Sequence, residues 1–166
     1  QIAPPSREDV EAYRDIREEL ERIAGSVNGA HAELDWTPIR YIRRSLPREV
    51  LAGLYRRADA MLVTPLADGM NLVAKEYVAA QDGADPGVLI LSHFAGAAEQ
   101  MDAALMVNPY DHGETARAID QALKMPLHER LARHLALIRV IREEDISWWT
   151  ESFLSALQGQ RTSRAA

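Results

Sequence analysis

Three short, almost wholly apolar runs constrain this chain more than any other feature: Ala60–Val63 (AMLV), residues 88–91 (VLIL) and Leu105–Val107 (LMV). Each is too short for a stable helix, and turn-forming residues follow within a few positions. Runs of this kind read as strands buried on both faces. Between and after them the pattern turns helical, and strands alternating with helices imply parallel pairing, right-handed crossovers and helices on both faces of the sheet. The fold class is therefore α/β, a doubly wound parallel sheet. In such sheets ligands sit beyond the carboxyl ends of the strands, where loops lead into helix amino termini.

The remaining elements follow from caps and periodicity. Ser6 and Asp9 resemble a capping box, and Val10, Tyr13, Ile16 or Arg17 and Leu20 continue at helical spacing, so a helix is expected over about residues 7–27, ended by Asn28-Gly29. Residues 38–42 (PIRYI) read as a further short strand, and Pro47 opens a helix to about Ala58. A helix is expected over residues 71–81, broken by DGADPG, and a short one over FAGAAEQM. Asp111 and Glu114 form a second capping box for a helix to Lys124, and residues 126–157 are helical apart from an interruption at 144–147. Residues 159–166 read as a frayed tail, which leaves 1–158 as the folded part.

Composition narrows the function classes. The 166 residues suit one domain, and 47% hydrophobic with 27% charged residues is ordinary for a globular protein. No apolar run approaches the roughly 18 residues of a membrane span. A formal charge of −6 argues against nucleic acid or an anionic membrane as partner. The absence of cysteine rules out disulfides and thiolate metal sites and fits a cytoplasmic protein. The start, QIAPPSRED, lacks the basic-then-apolar order of a secretory signal, and a chain that opens on Gln reads as a piece of a longer one. His31, His93, His112, His128 and His134 show no metal-ligand spacing, and each reads as a surface or packing residue.

The most informative stretch is TPLADGMNLVAKEYVAA, residues 64–80, at the carboxyl end of the first apolar run. A helix starting near Asn71 leaves its first N–H groups unpaired, so the backbone of Met70, Asn71, Leu72 and Val73 can donate to phosphate or sugar hydroxyls. Gly69 lets a ligand approach closely. Asp68 can accept from hydroxyls, and Glu76, further into the helix, can hold a vicinal diol such as a ribose. The same residues also read as an Asp-Gly turn, an Asn cap and solvated charges. Physical pattern alone leaves both readings open.

The order of residues resembles a known family. TPLADGMNLVAKEYVAAQ, with QIAPPSR, VNG, LVTPL, PGVLILSHFAGAAEQM and ALMVNPYD around it, is similar over most of the chain to the trehalose-6-phosphate synthases, retaining glycosyltransferases of GT-B fold built from two Rossmann-like domains. The resemblance implies the carboxyl-terminal, nucleotide-sugar-binding domain of such an enzyme, incomplete at its amino-terminal end. It implies glucose transfer from UDP-glucose to glucose 6-phosphate with retention, and no cofactor or metal. Asp68 is then the catalytic candidate, taking hydroxyls of the transferred glucose, with Gly69, Met70 and Asn71 beside it. Leu72 and Val73 take the diphosphate and Glu76 the ribose, with Ala74 and Lys75 completing the substrate-binding stretch. Leu46, expected at the end of the first strand, touches the uracil, and Arg7 reaches the acceptor phosphate through its bidentate guanidinium.

By the same resemblance, an amino-terminal domain carrying most acceptor contacts, and an Arg and Lys pair that clamps the donor diphosphate, belong upstream. These 166 residues alone are then expected to bind UDP weakly and to turn nothing over. Trp148, Trp149 and Phe153 either pack against that domain or cap their own core. Alternatives are a related glycosyltransferase with another donor nucleotide or another acceptor (glycerol phosphate or a cyclitol), and a non-catalytic nucleotide-sugar-binding module. A dinucleotide-dependent dehydrogenase is disfavoured because no GxGxxG follows a strand. The residues leave a homo-oligomer open.

Overall fold

The computed structural model describes residues 1–6 and 9–159, which fall into two compact units, Gln1–Val50 and Leu51–Ala166. Of the tail expected over residues 159–166, all but Gly159 lies outside the described residues.

The first unit is built on α1 (Glu11–His31). This helix is displaced from the expected span at both ends. Val10 occupies the cap position without a side-chain bond, so the Ser6 box does not start the helix. At the other end the helix runs through Asn28-Gly29 because Asn28 is used elsewhere: its Nδ2 donates to the Ile39 carbonyl and its Oδ1 accepts the Ile39 N–H, both at 2.9 Å. The strand expected over residues 38–42 also does not form. Ile42 makes a single parallel bridge to Ile2, its N–H donating to the Gln1 carbonyl at 2.8 Å and its carbonyl accepting from Ala3 at 2.9 Å. The Asn28 amide satisfies both backbone groups of Ile39, and pairing with residues 1–3 is confined to the one bridge.

The second unit is a parallel sheet of β1 (Ala60–Val63), β2 (Val88–Ser92) and β3 (Leu105–Val107) in the order β1-β2-β3. Ala60 pairs with Val88 and Val63 with Leu91, while Ile90 pairs with Leu105. After α2 (Arg48–Arg57), which begins at the end of the first unit, the helices are α3 (Leu72–Ala80), α4 (His112–Lys124), α5 (Leu127–Glu143) and α6 (Ile146–Leu157), with a 3₁₀ turn at Gly96–Glu99. The doubly wound arrangement is present. Every β2 residue is buried, and its side chains divide by parity. Leu89 and Leu91 join Val63, Ala74, Tyr77 and Leu137 on the face covered by α3 and α5, whereas Val88 and Ile90 join Ala118, Ala122 and Met125 on the α4 face.

One expectation about burial fails. Leu62 in β1 is 44% exposed, so this strand is not buried on both faces. It lies at an edge of the sheet, and only the face carrying Met61 and Val63 is covered by α3. The interruption expected over 144–147 narrows to Glu144 and Asp145, where the Asp145 carboxylate accepts from Ser147 and Trp148 to start α6. No helix among the described residues is long and apolar enough to cross a membrane.

Candidate functional site

The candidate site lies at the carboxyl end of β1, where the chain leaves the sheet at Thr64 and re-enters order at α3. Asp68 organises the turn between them. Its Oδ1 accepts the Met70 N–H and its Oδ2 accepts from Asn71 Nδ2, each at 3.0 Å. Asn71 then caps α3, its Oδ1 accepting the Ala74 N–H at 3.0 Å. Pairing with a carboxylate on one side and an N–H on the other fixes which way the Asn71 amide points. Asn71 is also the one non-glycine residue among those described with positive φ, at 73°, a left-handed conformation that Asn tolerates better than most residues.

This arrangement sorts the donors expected from the sequence. The N–H groups of Met70 and Ala74 are taken, whereas those of Gly69, Asn71, Leu72 and Val73 have no acceptor among the described residues. Leu72 and Val73 are exposed at the first turn of α3, where the helix dipole adds positive potential. Glu76 lies four and three residues further on, so it shares their exposed face, while Ala74, Tyr77 and Val78 face the core. A β-carbon on Gly69 would meet nothing, so the protein itself leaves that space open. Asp68 is half-buried, and its two oxygens, each with one bond, retain lone pairs for further hydroxyl donors.

A second loop, after β2, supports the first. Asp68 donates to the Phe94 carbonyl at 3.1 Å and accepts from Gly96 at 2.8 Å, and the Met70 carbonyl accepts from Ala97 at 2.6 Å. The two backbones cross so closely that a β-carbon at Gly96 would run into the Gly69 carbonyl. Gly96 is thus a site residue that sequence reasoning missed. Phe94 and Tyr110 meet edge to face beside this crossing, with centroids 5.9 Å apart. Burial first, and the Glu76 carboxylate second, push the Tyr55 hydroxyl pKa up. Tyr55 in turn packs edge-on against the buried Tyr77 at 6.3 Å.

Asp68 through Glu76 therefore form one continuous cradle. Lys75 turns away from the exposed face, its Nζ donating to Gln100 Oε1 at 2.6 Å. Leu46 lies in the first unit, half-buried in an irregular segment between Ile42 and α2, and so does not end a strand. Arg7 lies outside the described residues. Its neighbour Ser6 lines a cavity of about 210 Å³ with Tyr13, Arg14, Arg17, Tyr41 and Arg43. Among the described residues no three His, Asp or Glu side chains are grouped as a metal ion would require.

Known proteins are similar to this chain over nearly its full length. Residues 1–159 match the model of glycosyltransferase family 20. A trehalose-6-phosphate synthase of Enterobacter sp. (strain 638) is 57% identical over 158 residues, which cover 95% of this chain and 33% of that protein. The crystal structure of an α,α-trehalose-phosphate synthase (UDP-forming) from Burkholderia xenovorans in complex with glucose-6-phosphate superposes with a TM-score of 0.91 at 56% identity, covering 95% of this chain and 35% of that one. An Escherichia coli structure bound with UDP-2-fluoro glucose gives 0.91 at 55% identity, over 99% of this chain and 36% of its own. The chain spans about a third of the length of these relatives, and it belongs to glycosyltransferase family 20.

Proposed function

We propose that this chain is the UDP-glucose-binding part of a trehalose-6-phosphate synthase, and that the whole protein transfers glucose from UDP-glucose to glucose 6-phosphate with retention. The observation that carries the reading is the cradle itself. Two free N–H groups at the start of α3, those of Leu72 and Val73, share an exposed face with Glu76, and a carboxylate at Asp68 precedes them. A diphosphate on the N–H groups would set the ribose diol towards Glu76 and the hexose towards Asp68. As the glycosidic bond breaks, negative charge grows on the diphosphate, and a helix terminus already oriented towards it stabilises that charge without reorganisation. Asp68 fixes the sugar through hydroxyls, and the acceptor hydroxyl attacks from the face that the diphosphate leaves, its proton passing to the departing diphosphate oxygen.

The proposal extends to transfer without metal or cofactor, to a cytoplasmic location, and to an acceptor phosphate held by Arg7 with the uracil at Leu46. It also takes α6 as the surface that meets the rest of the polypeptide, because Trp148, Trp149 and Phe153 are 38%, 44% and 49% exposed and do not cap the core. Calorimetry on the full-length protein tests the reading. UDP-glucose should bind, Glu76→Ala should weaken it by about tenfold or more through the lost charge-assisted hydroxyl bonds, and Asp68→Ala should abolish turnover. No heat with UDP-glucose would sink the proposal.

A further inference from the structure

Lys75 is the one charged side chain of the donor stretch that the cradle does not use. Its Nζ donates to Gln100 Oε1 at 2.6 Å, and Gln100 Nε2 donates to Glu144 Oε2. A cation on one side and a carboxylate on the other allow a single amide orientation, so the three half-buried side chains form a polarised relay. Gln100 closes the 3₁₀ turn, its N–H donating to the Ala97 carbonyl at 3.1 Å, and the same turn holds Met70 and Asp68 through Ala97 and Gly96. Glu144 is the last residue before Asp145, which caps α6. The relay thus ties together α3, the second loop and the joint between α5 and α6.

We infer that Lys75 is a positioning residue, holding the loop after β2 against the donor cradle through Gln100 and anchoring both to Glu144. This rests on the proposed donor site. A ring closes from Lys75 along the α3 backbone to Asn71 and Asp68, across to Gly96, and through Gln100 back to Lys75. Breaking it frees the second loop to swing away from Asp68 and Gly69 without removing any group that touches ligand. The loss should therefore appear in donor affinity and spare the acceptor.

The test is made on the full-length protein. Lys75→Met should raise the KM for UDP-glucose by about tenfold, the scale of one lost charge-assisted hydrogen bond, with the acceptor KM within about twofold. Lys75→Arg, which can still donate to Gln100, should recover most of that loss. Glu144→Ala, at the far end, should give a smaller rise in donor KM, and the double variant should be no worse than Lys75→Met alone. Amide exchange in the ligand-free protein should speed up over residues 93–100 in Lys75→Met. An unchanged donor KM, equal changes for both substrates, or full additivity would overturn the inference. If the wild type binds no UDP-glucose, the functional reading fails by itself. Exchange over 93–100 then decides the relay: faster exchange upholds it, and unchanged exchange overturns it.

Discussion

Helices α3 and α6 carry comparable apolar content and meet opposite fates. In α3, nine residues include three that are buried, Ala74, Tyr77 and Val78. In α6, twelve residues include two tryptophans and a phenylalanine, and none is buried. The difference is position. α3 leaves the sheet at β1 and returns at β2, so its inner face must lie on the strands, whereas α6 follows α5 and connects to no strand among the described residues. Apolar composition says that a helix has a face to bury, and topology says whether this chain contains the surface that buries it.

The sharpest way to break that comparison is to empty one side. Tyr77 is fully buried, packs on Tyr55, and donates its hydroxyl to the Ala58 carbonyl at 3.2 Å. Tyr77→Ala should cost about 3–5 kcal/mol, the range for truncating a buried aromatic, read as a lower urea midpoint at unchanged slope. A loss under about 1 kcal/mol would mean that α3 is no better anchored than α6.

Gly96→Ala comes next. The new methyl group would force the two loop backbones apart at Gly69, a steric cost of about 1–3 kcal/mol, and donor affinity should fall together with stability. Should stability fall while UDP-glucose affinity stays at the wild-type value, the second loop would be scaffolding only.

What could be read from sequence follows the same division. The three strands and α3 were legible because short apolar runs between turn signals have few other readings, and the cradle was legible because its residues are contiguous. The strand expected at 38–42 does not form: the Asn28 side chain takes both backbone groups of Ile39, and Ile42 makes one bridge. Asn28-Gly29 looked like a helix end because nothing local shows that the Asn28 amide grips Ile39, 11 residues away. Gly96, Gln100 and Glu144 act across sequence separations, Lys75 reaching Gln100 over 25 positions and Gln100 reaching Glu144 over 44. Such contacts exist only after the sheet is assembled.

On the α6 side the expected effect is smaller. Trp149 stacks on Phe153 with rings 5.2 Å apart and 7° from parallel, but both remain about half exposed. Trp149→Ala should therefore cost these 166 residues no more than about 1 kcal/mol, the worth of an aromatic pair. In the full-length protein the same change should cost more if α6 meets the rest of the polypeptide. Equal costs in the two would mean that α6 stays exposed in both.

The smallest effect separates the two helices by pH. His134 lies half-buried on α5, lining a narrow internal space with Val78 of α3, Leu89 and Leu137. Burial first, and the Arg142 guanidinium second, hold its pKa below the ordinary 6.5. The folded state therefore binds the proton less readily than the unfolded chain does. Stability from this group is fully present above pH 6.5 and is lost as pH falls from there through the lowered folded value. A thermal melt series should show the midpoint falling with acidification across that window, and His134→Gln should flatten the part of the slope due to this group. Amide exchange locates the effect: protonation should loosen the α3 and α5 contact around Val78 before it touches α6, whose residues make no part of that space. Earlier loosening of α6 would place the acid-sensitive contact elsewhere.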